Sequence, residues 1–148
     1  MSSPRREQRR ALRIAVHIPT LIEPVGQPAL RLHDDLAAVY ERVAASTDRI
    51  GDTLPGVVRD LSTNGAFIAC EPLPLLSRVA FTFPLDGFGQ VEAIAWTLWR
   101  RREDCTIPGP DGTPVDLPRG FGVLFEAIPL DARMAIHELV SRAARAPA

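Results

Sequence analysis

The chain contains no lysine, only two cysteines and no long apolar run. All seventeen basic residues are arginine, which codon composition alone can produce, so we attach no function to it. Cys70 and Cys105 show no CxxC spacing and no nearby pair of histidines, and this argues against a zinc site or a redox motif. We therefore expect no cofactor and no metal, in a reduced, cytoplasmic protein.

Membrane and secretion signals are also missing. No stretch approaches the roughly 18 apolar residues that a spanning helix needs, and the arginine-rich start lacks the apolar core of a secretory signal. We expect no membrane insertion. The 148 residues, of which 46% are hydrophobic and 24% charged, carry a net charge of -1. These values are typical of one soluble globular domain, spanning residues 1–148.

Recognisable catalytic constellations are absent as well. His17, His33 and His137 are scattered along the chain and have no metal-ligand spacing. No histidine or carboxylate lies at a recognisable distance from a serine or cysteine nucleophile. We therefore expect a protein that is not an enzyme.

What the chain does contain is a pattern of short strands. Apolar and polar or small residues alternate between Leu12 and Ile18, the period of a half-buried strand, although Pro19 and Pro24 should confine this strand to an edge or interrupt it. Five further segments rich in valine, isoleucine and phenylalanine follow Gly56: VVRDLS, AFIACE, RVAFTFP, QVEAIAWTLWRR and RGFGVLFEA. Six strands in succession predict a mainly β fold, a small antiparallel barrel that removes free strand edges.

Two other segments have the period of an amphipathic helix. Residues 29–48 carry one apolar stripe, formed by Leu32, Leu36, Val39, Tyr40 and Val43. Residues 130–145 place apolar side chains on one face and predict a closing C-terminal helix. The intervening stretch from Arg102 to Pro118 is so rich in proline and glycine that we expect a long, exposed hairpin loop.

Two polar stretches are candidates for ligand binding. RREQRRALR, residues 5–13, has five arginines in nine positions, and guanidinium groups can grip phosphate oxygens, bond to guanine or stack on a base. Alone, such a cluster is more often a solvated basic terminus. In DLSTNG, residues 60–65, Asp60 and Ser62 would share a strand face, and Asn64-Gly65 would supply the positive φ of a hairpin turn. Alone, this stretch fits a plain hairpin with capping polar groups.

Together the two stretches resemble the signature of the PilZ domain family, which is an RxxxR segment ahead of a barrel followed by D-x-S-x-x-G. RRALRIAVHIP matches the first with Arg9 and Arg13, and DLSTNG matches the second at each fixed position. RGFGVLFEAIPLDARMAIHELV is similar to the last strand and helix of the family. The resemblance covers residues 5–145. It implies a six-stranded antiparallel barrel with a flexible arm, residues 1–13, that closes over the bacterial second messenger cyclic di-GMP.

The resemblance also implies a binding site made from the arm and the barrel. Its ligand-binding residues would be Arg9, Arg10, Arg13, Asp60, Ser62 and Gly65. The arginines would clamp phosphate and guanine, the carboxylate and hydroxyl would meet polar edges of a base, and the glycine would allow a tight backbone turn. Arg5 and Arg9 have the same spacing as Arg9 and Arg13. The sequence therefore allows another register of the arginine pair, and either one ligand or a stacked dimer of it.

The implied function is that of a stand-alone receptor which relays the signal to a protein partner in motility, pilus or exopolysaccharide control. The segment 29–48 is a departure from a minimal member of the family. Its stripe could pack on its own barrel, on another protein or on a second copy of the chain. An alternative is therefore a PilZ-like interaction scaffold that does not bind cyclic di-GMP.

A third interpretation, a nucleic-acid-binding barrel, has less support. Trp96 and Trp99 precede Arg100–Arg102, and aromatic side chains beside basic ones are typical of single-strand binders. Because the tryptophans are three residues apart in a strand, we expect them on opposite faces, with at least one in the core. A net charge of -1 disfavours a nucleic-acid partner.

Overall fold

The computed structural model describes residues 13–26 and 50–145, and these form eight strands and one helix. The elements are β1 (Arg13–Val25), β2 (Leu54–Ser62), β3 (Gly65–Ala69), β4 (Arg78–Leu85), β5 (Gly89–Arg101), β6 (Cys105–Pro108), β7 (Pro114–Leu117), β8 (Gly120–Ala127) and α1 (Leu130–Arg145). Six strands close into an antiparallel barrel in the order β1-β2-β3-β8-β5-β4. The predicted six-stranded barrel and C-terminal helix are confirmed. The helix predicted at residues 29–48 and most of the predicted arm lie outside the described residues.

One face of each barrel strand fills the interior. In β4 and the first part of β5, buried residues alternate with more exposed ones, as expected of strands with one face toward a core. Phe81 is buried in this interior, and the centroid of its ring lies 5.8 Å from that of Phe83 and 6.1 Å from that of Phe125. The largest fully buried side chains include Phe81, Phe83, Phe121, Ile22, Leu61, Ile68 and Ile136.

The strand β1 changes its neighbour halfway along. Residues 13–22 pair with β2, whereas residues 21–25 pair with β4. Pro19 therefore pairs with β2 alone and Pro24 with β4 alone, among the described strands. Because proline has no N–H to donate, a position with one neighbour tolerates it. The sequence predicted an edge position or an interruption at these prolines; β1 is not interrupted, and each proline has a paired neighbour on one side only.

The helix α1 covers one side of the barrel next to β2 and β1. It buries Ala132, Ile136 and Val140, which belong to the same hydrophobic cluster as the barrel interior. On its other side Leu130 and Met134 are 72% and 63% exposed. None of the described helical residues forms a segment with the length and apolar character of a membrane span.

The segment after β5 contains a second, two-stranded sheet. β6 pairs with β7, and the turn between them is closed by hydrogen bonds from the Gly109 N–H to the Thr113 carbonyl at 2.8 Å and from the Thr113 N–H to the Asp111 carboxylate at 3.0 Å. The latter bond holds the pKa of Asp111 below its ordinary value. The predicted exposed hairpin is present, but it contains strands where the sequence predicted only a loop.

Candidate functional site

The DLSTNG stretch ends β2 and begins β3, and its serine organises the turn. The Ser62 hydroxyl accepts hydrogen bonds from the N–H groups of Asn64 at 3.3 Å and Gly65 at 3.1 Å, and it donates to the Gly65 carbonyl at 3.2 Å. This is a local turn cap. Neither Asn64 nor Gly65 has a positive φ, so the predicted positive-φ turn is wrong.

Gly65 is required for close approach between strands. It pairs with Leu124 of β8, and a Cβ at this position would overlap the carbonyl oxygen of Val123. A residue without a side chain is therefore needed for β3 to start this close to β8. Because Gly65 has no side chain, the turn packs directly against β8.

A pocket of about 180 Å³ opens beside the turn. Arg13 of β1 pairs with Ser62, and Asp60 precedes Ser62 by two residues. The pocket lining includes Arg13, Asp60, Ser62, Gly65, Phe67, Trp99, Gly122 and Leu124. The structure thus brings four of the six predicted ligand-binding residues to one pocket, while Arg9 and Arg10 lie outside the described residues.

The floor of this pocket is aromatic. Phe67 of β3 and Trp99 of β5 both pair with Gly122 of β8, and their rings stack at 5.0 Å between centroids with an interplanar angle of 19°. A Cβ on Gly122 would overlap the indole of Trp99. Because Gly122 has no side chain, the indole can lie across β8 and reach Phe67.

Four strands contribute to a single line of residues across the outer face of the barrel. Asp60 pairs with Phe67, Phe67 with Gly122, and Gly122 with Trp99. Directly opposite residues share a sheet face, so we call this set the cross-strand row. It places a carboxylate at one end and an indole that is 46% exposed at the other.

An additional arginine lies over the aromatic rings. The guanidinium carbon of Arg101 is 5.1 Å from the centroid of Phe67 and 5.5 Å from that of Trp99, which is within the range of cation–π attraction. The same side chain donates a hydrogen bond to the Pro118 carbonyl at 2.7 Å. Its positive charge is thereby fixed beside the pocket.

The sequence interpretation missed Trp99 and Gly122 as parts of the site. A bulge between Thr97 and Trp99 shifts the register of β5 against β8 and turns Trp99 outward. Neither Trp96 nor Trp99 belongs to the buried core, so the expectation of a core tryptophan is wrong. A glycine within a strand is a signal of close approach, and RGFGV contains one at position 122.

Cys70 lies in a separate pocket with Glu71, Asp104 and Arg119. Burial, with a smaller contribution from the negative charge of Glu71, raises the pKa of the Cys70 thiol to about 12. The thiol is therefore protonated at neutral pH, which makes it a poor nucleophile.

Comparison with known proteins reveals a shared fold. No protein-family model and no curated protein matches the chain. The PilZ domain of YcgR from Escherichia coli, solved with c-di-GMP, is 15% identical, with a TM-score of 0.54 over 93% of this chain and 95% of that chain. MotI/DgrA, an inhibitor of motility from Bacillus subtilis, is 10% identical, with a TM-score of 0.56 over 92% of this chain. The match spans 51% of that second protein.

Proposed function

Starting from the PilZ-domain fold of this barrel, we propose that the protein is a non-enzymatic receptor for cyclic di-GMP that relays the signal to a protein partner. The main observation behind this proposal is that Arg13, Asp60 and Gly65 line one pocket beside the turn that Ser62 caps. The likeness to the PilZ domain of YcgR, which was solved with c-di-GMP, supports the same ligand class here.

The chemistry of the pocket suits this ligand. Cyclic di-GMP offers two phosphates and two guanines, and a guanidinium such as that of Arg13 can bind either group in a bidentate manner. The Asp60 carboxylate accepts hydrogen bonds only, so it complements the N–H groups on the edge of guanine. The exposed face of Trp99 is a stacking surface for a flat base. Arg9 and Arg10 would complete the grip on the phosphates from the arm.

In this proposal Ser62 acts mainly through the turn. Its hydroxyl already bonds to Asn64 and Gly65, so it fixes the backbone between Asp60 and the start of β3. Ligand binding would hold the arm against this preorganised surface and so change what a partner can bind.

Among the cellular processes that such a receptor could control, we propose motility. MotI/DgrA, which shares the fold, is an inhibitor of motility, and this supports a motility adaptor. Control of a pilus or of exopolysaccharide synthesis is implied only by the family resemblance. The cytoplasm is the compartment in which such a receptor would act.

Isothermal titration of the full chain with cyclic di-GMP tests the receptor proposal. We expect saturable binding by the wild type. Asp60→Ala and Arg13→Ala should each weaken it at least tenfold, because a hydrogen bond to a charged group contributes about 1.5–3 kcal/mol. Asp86→Ala, in the exposed β4–β5 turn, and Arg142→Ala, in the last turn of α1, are matched controls that should bind like the wild type.

Two results would contradict different parts of this proposal. No binding by the wild type at tens of micromolar ligand rules out the receptor function and favours the scaffold alternative. Wild-type binding that neither Asp60→Ala nor Arg13→Ala alters keeps the receptor function but shows that the ligand lies elsewhere. Circular dichroism of each variant establishes that the barrel is folded.

A further inference from the structure

The turn beside the pocket is anchored by two elements outside its own hairpin. The Arg133 guanidinium of α1 donates a hydrogen bond to the Thr63 carbonyl at 2.8 Å. The Phe125 N–H of β8 donates to the Asn64 carbonyl at 2.8 Å. The carbonyls of both turn residues between β2 and β3 are therefore fixed from outside.

Arg133 is well placed to be a firm anchor. Its side chain is partly buried, and its neighbour Ala132 is buried in the barrel cluster. Its own N–H donates to the Pro129 carbonyl at 3.0 Å in the first turn of α1. A charged donor on a backbone carbonyl makes a stronger hydrogen bond than a neutral one, so this contact links the helix to the turn more firmly than a surface contact would.

We propose that Arg133 is a positioning residue that couples the ligand pocket to the first turns of α1. This inference rests on the proposed function. By holding the Thr63 carbonyl, Arg133 keeps the turn, and with it Asp60 and Gly65, in the arrangement that lines the pocket. Without it, part of the ligand's binding free energy must be spent on ordering the turn.

Coupling of this kind acts in both directions. If the Arg133 contact favours ligand binding, ligand binding favours the contact by the same free energy. Occupancy of the pocket therefore stabilises the start of α1, where Leu130 and Met134 are exposed.

The first measurement is ligand affinity. We expect Arg133→Ala to raise the Kd for cyclic di-GMP about tenfold, the equivalent of 1.4 kcal/mol. Arg133→Lys, which keeps a charged donor, should restore part of that loss. Arg142→Ala removes an arginine from the far end of the same helix and should leave the Kd unchanged. Arg133→Gln replaces the alanine variant if that variant does not fold.

The second measurement separates coupling from a merely structural role. Amide hydrogen exchange is followed with and without cyclic di-GMP in the wild type and in Arg133→Ala. In the wild type, the ligand should slow exchange in residues 63–65 and also in residues 133–137. In Arg133→Ala at saturating ligand, protection should persist at the turn but disappear from the helix.

The outcomes distinguish this inference from the proposed function. If the wild type binds the ligand and Arg133→Ala binds equally well, or if the helix remains protected in that variant, the coupling is wrong while the receptor function stands. If the wild type does not bind cyclic di-GMP, both the receptor function and the coupling are wrong.

Discussion

At the scale of single residues, two glycines determine the shape of the pocket. Gly65 and Gly122 have φ values outside the positive region, so neither is required for backbone freedom. Each lies where a Cβ would overlap a neighbour, which is the Val123 carbonyl for Gly65 and the Trp99 indole for Gly122. Space for a close contact is therefore the reason for both glycines.

Substitution of Gly122 tests whether the missing side chain allows the Trp99 indole to lie across β8. We expect Gly122→Ala to lift Trp99 off Phe67 and to destabilise the fold by about 1–3 kcal/mol, the usual cost of inserting atoms into a packed site. Tryptophan emission should shift to longer wavelength, because the indole becomes more exposed. Urea titration followed by fluorescence measures both effects.

Gly26→Ala is the matched control for that experiment. Its Cβ would come no nearer than 3.9 Å to the Ile50 side chain and has open space otherwise, so stability and emission should stay at the wild-type values. An unchanged emission spectrum in Gly122→Ala would show that the position of the Trp99 indole does not depend on the absence of a side chain at residue 122.

At the scale of elements, the β6–β7 hairpin is the least buried. Its two strands pair with each other, and all four residues of β6 are exposed. An isolated two-stranded hairpin is marginal in water. In contrast, β3 and β8 each lie between two hydrogen-bonded neighbours in the closed barrel.

Amide hydrogen exchange should distinguish these elements by their local stability. We expect the amides of β6 and β7 to exchange at least a hundredfold faster than those of β3 and β8, because local opening of the hairpin costs little free energy. Mass spectrometry of peptic fragments gives both rates in one experiment. Equal protection would mean that something covers the hairpin in solution, and a dilution series would show whether a second copy does so.

The same elements show which parts of the fold were predictable. β4 and β5 were predicted from their content of valine, isoleucine and phenylalanine, which reflects the alternate residues that β4 and the first part of β5 bury in the barrel. β6 and β7 bury almost nothing, so no period marks them. The passage of β1 through Pro19 and Pro24 depends on which side of the strand is paired, and the local sequence does not contain that information.

At the scale of the whole molecule, α1 and the barrel share one core. We expect Ile136→Ala, at a fully buried position of α1, to lower the free energy of unfolding by about 2–5 kcal/mol. The transition should remain cooperative, and fluorescence and far-UV circular dichroism should give the same midpoint in urea.

Leu130→Ala is the control on the exposed side of the same helix. Leu130 is 72% exposed, so its truncation should change the free energy of unfolding by no more than about 0.5 kcal/mol. A small effect of Ile136→Ala, or two separate transitions, would show that α1 is an appendage and not part of the barrel core.

The candidate site was predictable in one half only. The resemblance to a family signature singled out Arg13, Asp60, Ser62 and Gly65, which all line the pocket. The last three lie in one turn between adjacent strands, which keeps them together. The contribution of Trp99 depends on a bulge in β5 and on a gap in β8, two elements that meet only after the barrel closes. Gly122 in RGFGV indicates a close approach, but the sequence does not show which residue lies against it.

The cross-strand row has a consequence for the folding of the chain. Its residues come from β2, β3, β8 and β5, so the complete pocket forms only when the barrel closes. A molecule that fills the pocket binds only the native state and adds its binding free energy to the stability of the barrel, about 2.7 kcal/mol at a hundred times its Kd. The concentration of that molecule in the cell would then set how strongly the barrel resists unfolding, and with it the resistance of the protein to degradation.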